Sequence, residues 1–201
     1  MKILAIAIAL TLILSFIAQA GQNPAVKVAL HAEAYAKRRT CEDVVITDCS
    51  QIVSTLDLSP DYSYDILTVF FDVTGVTACE YGLTWAAGLS YSAAFSGCGD
   101  LLIGDILWPG DGVAVSWTLC QMGWSIIPGW VYIDVLPEQP LVICPIPNPT
   151  TDFIGVTDCD FDPDAPICFF CAGLHGAIGD DPCEPTAAEA STWGGIKSMF
   201  K

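Results

Sequence analysis

The chain has 201 residues, of which 23 are acidic and only seven basic, for a formal net charge of −16. So acidic a surface repels phosphate, which excludes nucleic acid and anionic membrane as partners. Hydrophobic residues make up 53% and ten residues are cysteines, enough for one domain with a real core and a set of cross-links.

Lys2, the apolar run Ile3 to Leu14 continued by Phe16 and Ile17, and then Ala18-Gln19-Ala20 follow the order of a secretory signal peptide. Residues 1–20 are therefore expected to be removed, placing the mature chain in the periplasm, at the cell surface or outside the cell. Losing Lys2 takes the net charge to −17. No cysteine follows the cut to carry a lipid anchor, and nothing later is apolar for long enough to insert in a membrane. The remainder divides into a body, residues 21–184, and a linker with a short tail, residues 185–201.

Ala25 to Lys37 alternates, Val26, Val28, Leu30 and Ala32 against Lys27, His31, Glu33 and Tyr35, and predicts a strand whose charged end Lys37-Arg38-Arg39 protects an edge. Tyr64 to Trp85 predicts two antiparallel strands broken at Thr74-Gly75, the glycine supplying the positive φ of a tight hairpin. Leu67, Val69, Phe71 and Val73 would face the core from the first, and Cys79, Tyr81, Leu83 and Trp85 from the second. Further strands are predicted over Gly88 to Ser96, Leu101 to Trp108, Val113 to Cys120, Trp130 to Val135, Pro140 to Cys144 and Phe153 to Val156, with a turn at Pro109-Gly110-Asp111-Gly112. Short strands spaced about 8–12 residues apart predict an all-β, mostly antiparallel sandwich, Ig-like or jelly-roll-like. Regular structure is expected to fade after Cys159. In the tail, Thr192 would cap a short helix with Trp193, Ile196 and Phe200 on one face and Lys197 and Lys201 on another.

Behind a signal peptide, Cys41, Cys49, Cys79, Cys98, Cys120, Cys144, Cys159, Cys168, Cys171 and Cys183 are expected to form disulfides. Their pairing is open, ten cysteines allowing on the order of a thousand connectivities; a local Cys41–Cys49 bridge is one option. Cys168, Cys171, His175 and Cys183 have the residue types of a zinc site at a spacing unlike the usual fingers. Asp158, Asp160, Asp162 and Asp164 recur at every second position, as the oxygen ligands of a calcium loop do. They are not an EF-hand, since Pro163 stands where its glycine is needed and Phe169 where its bidentate glutamate is needed. Trp108 and Trp124 lie beside turns and are the candidate surface aromatics, for a carbohydrate face among other ligands, whereas Trp85 and Trp117 point to the core. His31 and His175 are the only histidines, and no nucleophile–base motif or phosphate loop occurs.

Between Thr40 and Ile196 there is no lysine or arginine. The acidic body therefore invites its own basic ends, or those of a partner, to dock on it. Pro147 to Ile154, PNPTTDFI, resembles the opening of the C-terminal sorting domain of the type IX secretion system, although cysteine-rich loops replace the strands expected after it. VTGVTACEYGLTW, PGDGVAVSW and the ending STWGGIKSMFK are similar to uncharacterised secreted bacterial β-sandwich proteins, a resemblance that implies compartment and fold and supplies no activity. The reading is a secreted non-enzymatic binding or assembly module, self-associating or engaging a protein partner through its basic termini. Its rivals are a carbohydrate-binding module, which needs a flat exposed tryptophan pair, and a hydrolase, which needs two carboxylates in one pocket.

Overall fold

Strands form here where β-branched and aromatic residues recur at the pleat period, because such side chains pack well on a half-buried sheet. The computed structural model describes residues 21–58, 63–86, 90–135 and 139–184. Within them run β1 (Lys27–Ala34), β2 (Thr55–Leu56), β3 (Ser63–Phe71), β4 (Gly75–Trp85), β5 (Ser90–Gly97), β6 (Leu101–Gly104) and β7 (Gly112–Met122). They are followed by β8 (Ser125–Val135), β9 (Leu141–Ile146), β10 (Gly155–Thr157), β11 (Pro163–Asp164), β12 (Cys168–Phe170) and β13 (Ala172–Leu174). The expected signal peptide, residues 1–20, and the expected linker and tail bearing Trp193, Ile196, Lys197, Phe200 and Lys201 lie outside the described residues.

The strands make two sheets of an all-β sandwich. One runs β12-β1-β3-β8-β5. In the other, β4 is central: β7, which carries β6, lies along one edge, while β10 and then β9 share the opposite edge. Pairing is mostly antiparallel, but β12 runs parallel to β1 and β13 parallel to β2. The cysteine-rich stretch after Cys159, expected to be irregular, thus contributes β12 to the first sheet and both β11 and β13 to the second.

The expected β3–β4 hairpin is not formed. β3 pairs with β1 and β8, β4 with β7, β9 and β10, so the break at Thr74 is a crossing from one sheet to the other. The positive φ falls on Asp72, at 58°, and not on Gly75. Gly75 is needed for closeness instead: a Cβ there would stand 2.7 Å from Cys159 Sγ and 3.1 Å from Cys120 Sγ.

Between the sheets, Leu30, Tyr64, Ile66, Phe70, Val131 and Ile133 meet Tyr81, Leu83, Trp85, Val115, Ile143 and Val156. Each large side chain withdrawn from water there stabilises the fold by about 1.5–3 kcal/mol. The β4 face is the one read from the sequence. The β3 face is the reverse: Tyr64, Ile66 and Phe70 point into the sandwich, whereas Val69 and Phe71 belong to a second apolar cluster with Ala29, Ile46, Ile52 and Phe170.

That second cluster exists because residues 35–54 fold as a strap over the outside of the β1–β3–β8 sheet. Disulfides Cys41–Cys98 and Cys49–Cys183 fasten the strap at both ends, in place of a local Cys41–Cys49 bridge. Cys120–Cys159 and Cys144–Cys171 complete the set of four. Cys79 is a buried thiol and Cys168 belongs to none of these bridges, which corrects the expectation that all ten cysteines are oxidised. With both faces covered, β1 is an interior strand between β12 and β3 and not a protected edge.

Candidate functional site

Two aspartates of the acidic loop, Asp158 and Asp164, are committed to backbone donors. Asp158, fully buried, accepts from the backbone N–H of Gln22 at 2.8 Å through Oδ2, and from those of Asp160 at 2.8 Å and Asp162 at 3.0 Å through Oδ1. Burial alone would raise its pKa; these donors outweigh burial and hold the carboxyl below its ordinary value. Asp164 accepts from the Asn23 N–H at 2.9 Å, and Asp160 accepts from the Gln22 side-chain amide. The loop is thereby a clasp on the first residues of the body. Asp158, Asp160, Asp162 and Asp164 do not converge on a point, and among the described residues no group of three or more His, Cys, Asp or Glu has metal-holding geometry. The sulfurs of the zinc reading are likewise taken, Cys171 by Cys144 and Cys183 by Cys49.

Two of the N-terminal cations, Lys27 and Arg39, fold onto their own body. Lys27 Nζ lies 2.7 Å from Asp72 Oδ2. Arg39, its side chain only 5% exposed, reaches Glu33 at 2.5 Å with Nη2 and Asp65 at 2.8 Å with Nε. His31 joins the network: Val53 N–H donates to its Nδ1 at 2.9 Å, so Nε2 carries the proton toward Glu33 Oε1, also 2.9 Å away. Burial pushes Glu33 upward, but hydrogen bonds from His31 and Arg39 and the Arg39 charge prevail and lower its pKa. Arg39 is shifted upward, its two carboxylate partners overcoming burial. Beside the network lies a cavity of about 340 Å³ lined by Tyr35, Arg39, Asp65, Ser96, Trp130 and Tyr132. Of the network's two carboxylates only Asp65 lines this cavity, and both Asp65 and Glu33 are neutralised by one guanidinium, which leaves them poorly disposed for acid–base hydrolysis.

The two candidate tryptophans part company. Trp108 is 65% exposed at the turn before β7, while Trp124, in the turn after β7, is half-buried with its ring 5.2 Å from that of Phe71. Standing beyond opposite ends of an 11-residue strand, they form no shared platform for a sugar.

What the sequence reading missed is the exposure of β6. Leu101, Leu102 and Ile103 were expected inside a strand of the sandwich, yet they are 55%, 42% and 62% exposed. β6 pairs with β7 along one edge, and its other edge meets no strand among the described residues. Leu101 and Ile103 share its outer face, opposite Ser116 and Ala114 of β7. Apolar side chains on an open edge normally mark a docking surface, since natural edges are otherwise blunted by lysine, proline or cover. The edge is flanked by Asp100 and Asp105 and followed by Trp108 and Asp111. The carboxylate of Asp111 accepts from the N–H of Leu107 at 3.0 Å and of Trp108 at 2.8 Å, fixing the exposed tryptophan's backbone.

No family model matches the chain, and no curated protein matches it either. Among solved structures it is similar to a type II cohesin domain from the cellulosome of Acetivibrio cellulolyticus, at 9% identity and a TM-score of 0.52 over 77% of this chain and 98% of that one. Type I cohesins in cohesin–dockerin complexes from Clostridium thermocellum match at TM-scores of 0.48 and 0.49, with 8% and 7% identity, covering 77% and 75% of this chain and 99% and 93% of those. The fold is that of a cohesin-like β-sandwich, a likeness of backbone and not of sequence.

Proposed function

We propose that this chain is a secreted, non-enzymatic module for protein binding or assembly, and that it docks its partner on β6 and Trp108. The observation that carries the reading is the open edge of β6, where three consecutive large apolar residues face water beside two carboxylates. An extended partner segment would add to such an edge through main-chain hydrogen bonds, with side chains read at alternate positions. The acidic flanks select a segment carrying lysine or arginine. Likeness to a cohesin domain supports the fold's suitability as a binding scaffold, while the site, not the fold, supplies the function. Secretion follows from the signal-peptide order of residues 1–20 and agrees with the four disulfides.

A photo-crosslinking residue in place of Ile103, in the protein secreted by its own cell, tests this. A discrete protein adduct is expected at Ile103 and not at Val45, which is 74% exposed and lies on the strap. Equal adducts at both positions, or none at either, would overturn the assignment.

A further inference from the structure

Beneath the outer end of the strap lies a trough of about 400 Å³, walled by Phe71, Trp124, Ile167 and Phe170, bordered by the ion-paired Lys27 and Asp72, with Lys27 Nζ 5.5 Å from the Phe71 ring, and closed on one side by Cys183 and Glu184. Phe71 sits at its base, its ring 5.2 Å from Trp124 and 6.0 Å from Phe170. Ile167 stands at the rim, 55% exposed. The described chain ends in the wall of this trough, and Cys49–Cys183 pins that end in place.

The next residues in sequence match what the trough lacks. Trp193, Ile196 and Phe200 are the large apolar residues of segment 185–201, and Lys197 and Lys201 are the only cations after Arg39. Trp193 stands nine positions beyond Glu184, a reach of up to ~30 Å when extended, so the segment can return to the trough from where it leaves. Glu184, exposed on the wall, and Asp181 beside it offer the lysines opposite charge.

We propose that the trough is the docking site of this chain's own C-terminal segment, with Trp193 seated over Phe71, Trp124 and Phe170 and the lysines held by the acidic wall. Burial of one indole in an aromatic pocket supplies an anchor, and the nearby root reduces the entropy of closing the loop.

The test is a benzoylphenylalanine in place of Trp193 in the full mature chain, irradiated over a dilution series and mapped by mass spectrometry. The expected adduct is within one chain, on Ile167–Phe170 or Trp124, and independent of concentration. Ile167→Glu, a change at an exposed position that leaves the core intact, should lower its yield by roughly ten-fold by setting a charge against the apolar seat. Glu184→Lys should lower it by roughly two- to five-fold, the range of an exposed ion pair. Adducts between chains, adducts on another face of the body, or a yield unmoved by Ile167→Glu would each overturn the proposal.

Discussion

Arg39 Nε and Asp65 Oδ2 meet 2.8 Å apart, with the two side chains only 5% and 1% exposed. Asp65 also accepts from the Ala36 N–H at 2.9 Å, and its other oxygen, Oδ1, has no partner among the described residues. A buried carboxylate so placed depends on its cation. Arg39→Met should destabilise the protein by about 3–5 kcal/mol, because it leaves that charge uncompensated. The double variant Arg39→Met with Asp65→Leu should recover much of the loss. Urea unfolding of the three proteins checks it, and additive losses would refute the coupling.

Acid should weaken the fold through Glu33 and Asp158. Both have pKa values lowered in the folded chain, so their contribution is fully present above the ordinary carboxylate range and is lost as pH falls through the folded values. Glu33→Gln and Asp158→Asn should each flatten the decline in melting temperature below about pH 4.5. At neutral pH Asp158→Asn should also cost about 1.5–3 kcal/mol, since it replaces a charged acceptor of backbone donors.

Calcium should leave the melting temperature of the parent unchanged, because the oxygens of Asp158 and Asp164 are held by the N–H groups of Gln22, Asn23, Asp160 and Asp162. A calcium-dependent rise that disappears in Asp160→Asn with Asp162→Asn would restore the loop as a cation site.

Thiol titration of the denatured, unreduced protein should return no more than two thiols, with Cys79 among them and unreactive in the native state, where burial raises its pKa. Cys49–Cys183 closes a sequence separation of 134 residues. Cys49→Ser with Cys183→Ser should therefore cost up to about 5 kcal/mol and release the outer end of the strap.

Ile103→Lys should change stability by no more than about 0.5 kcal/mol, since the side chain is already 62% exposed. The same variant should abolish the adduct formed by a photo-crosslinker at Leu101. Differential scanning calorimetry and the adduct yield separate the two effects.

Cys79, Tyr81, Leu83 and Trp85 were legible as a core face because β4 alternates them with smaller or polar residues. β3 offered no such contrast: Ile66, Leu67, Val69, Phe70 and Phe71 are apolar on both faces, and only the strap explains why both are covered. The strap itself has no period, and its fastenings to Cys98 and Cys183 join residues far apart in sequence, so neither could be read locally. Trp108 was found because a proline–glycine turn follows it. Trp124 was misjudged because its turn folds back onto Phe71. The exposure of Leu101–Ile103 depends on a strand that does not come next to them, and an apolar triplet in isolation reads as core.

The burial of Arg39 also bears on how the protein would survive exposure to proteases. A protease that cuts after lysine or arginine finds no bond to attack between Arg39 and Lys197. Arg39 is sequestered by Glu33 and Asp65, and Lys27 lies in an interior strand beside Asp72. Such enzymes are left with Lys37 and Arg38 at one end and the last few residues at the other, so the body from Thr40 onward would persist as a single piece even while transiently unfolded. Secretion among trypsin-like enzymes would trim this molecule at its ends and leave its edge strand intact.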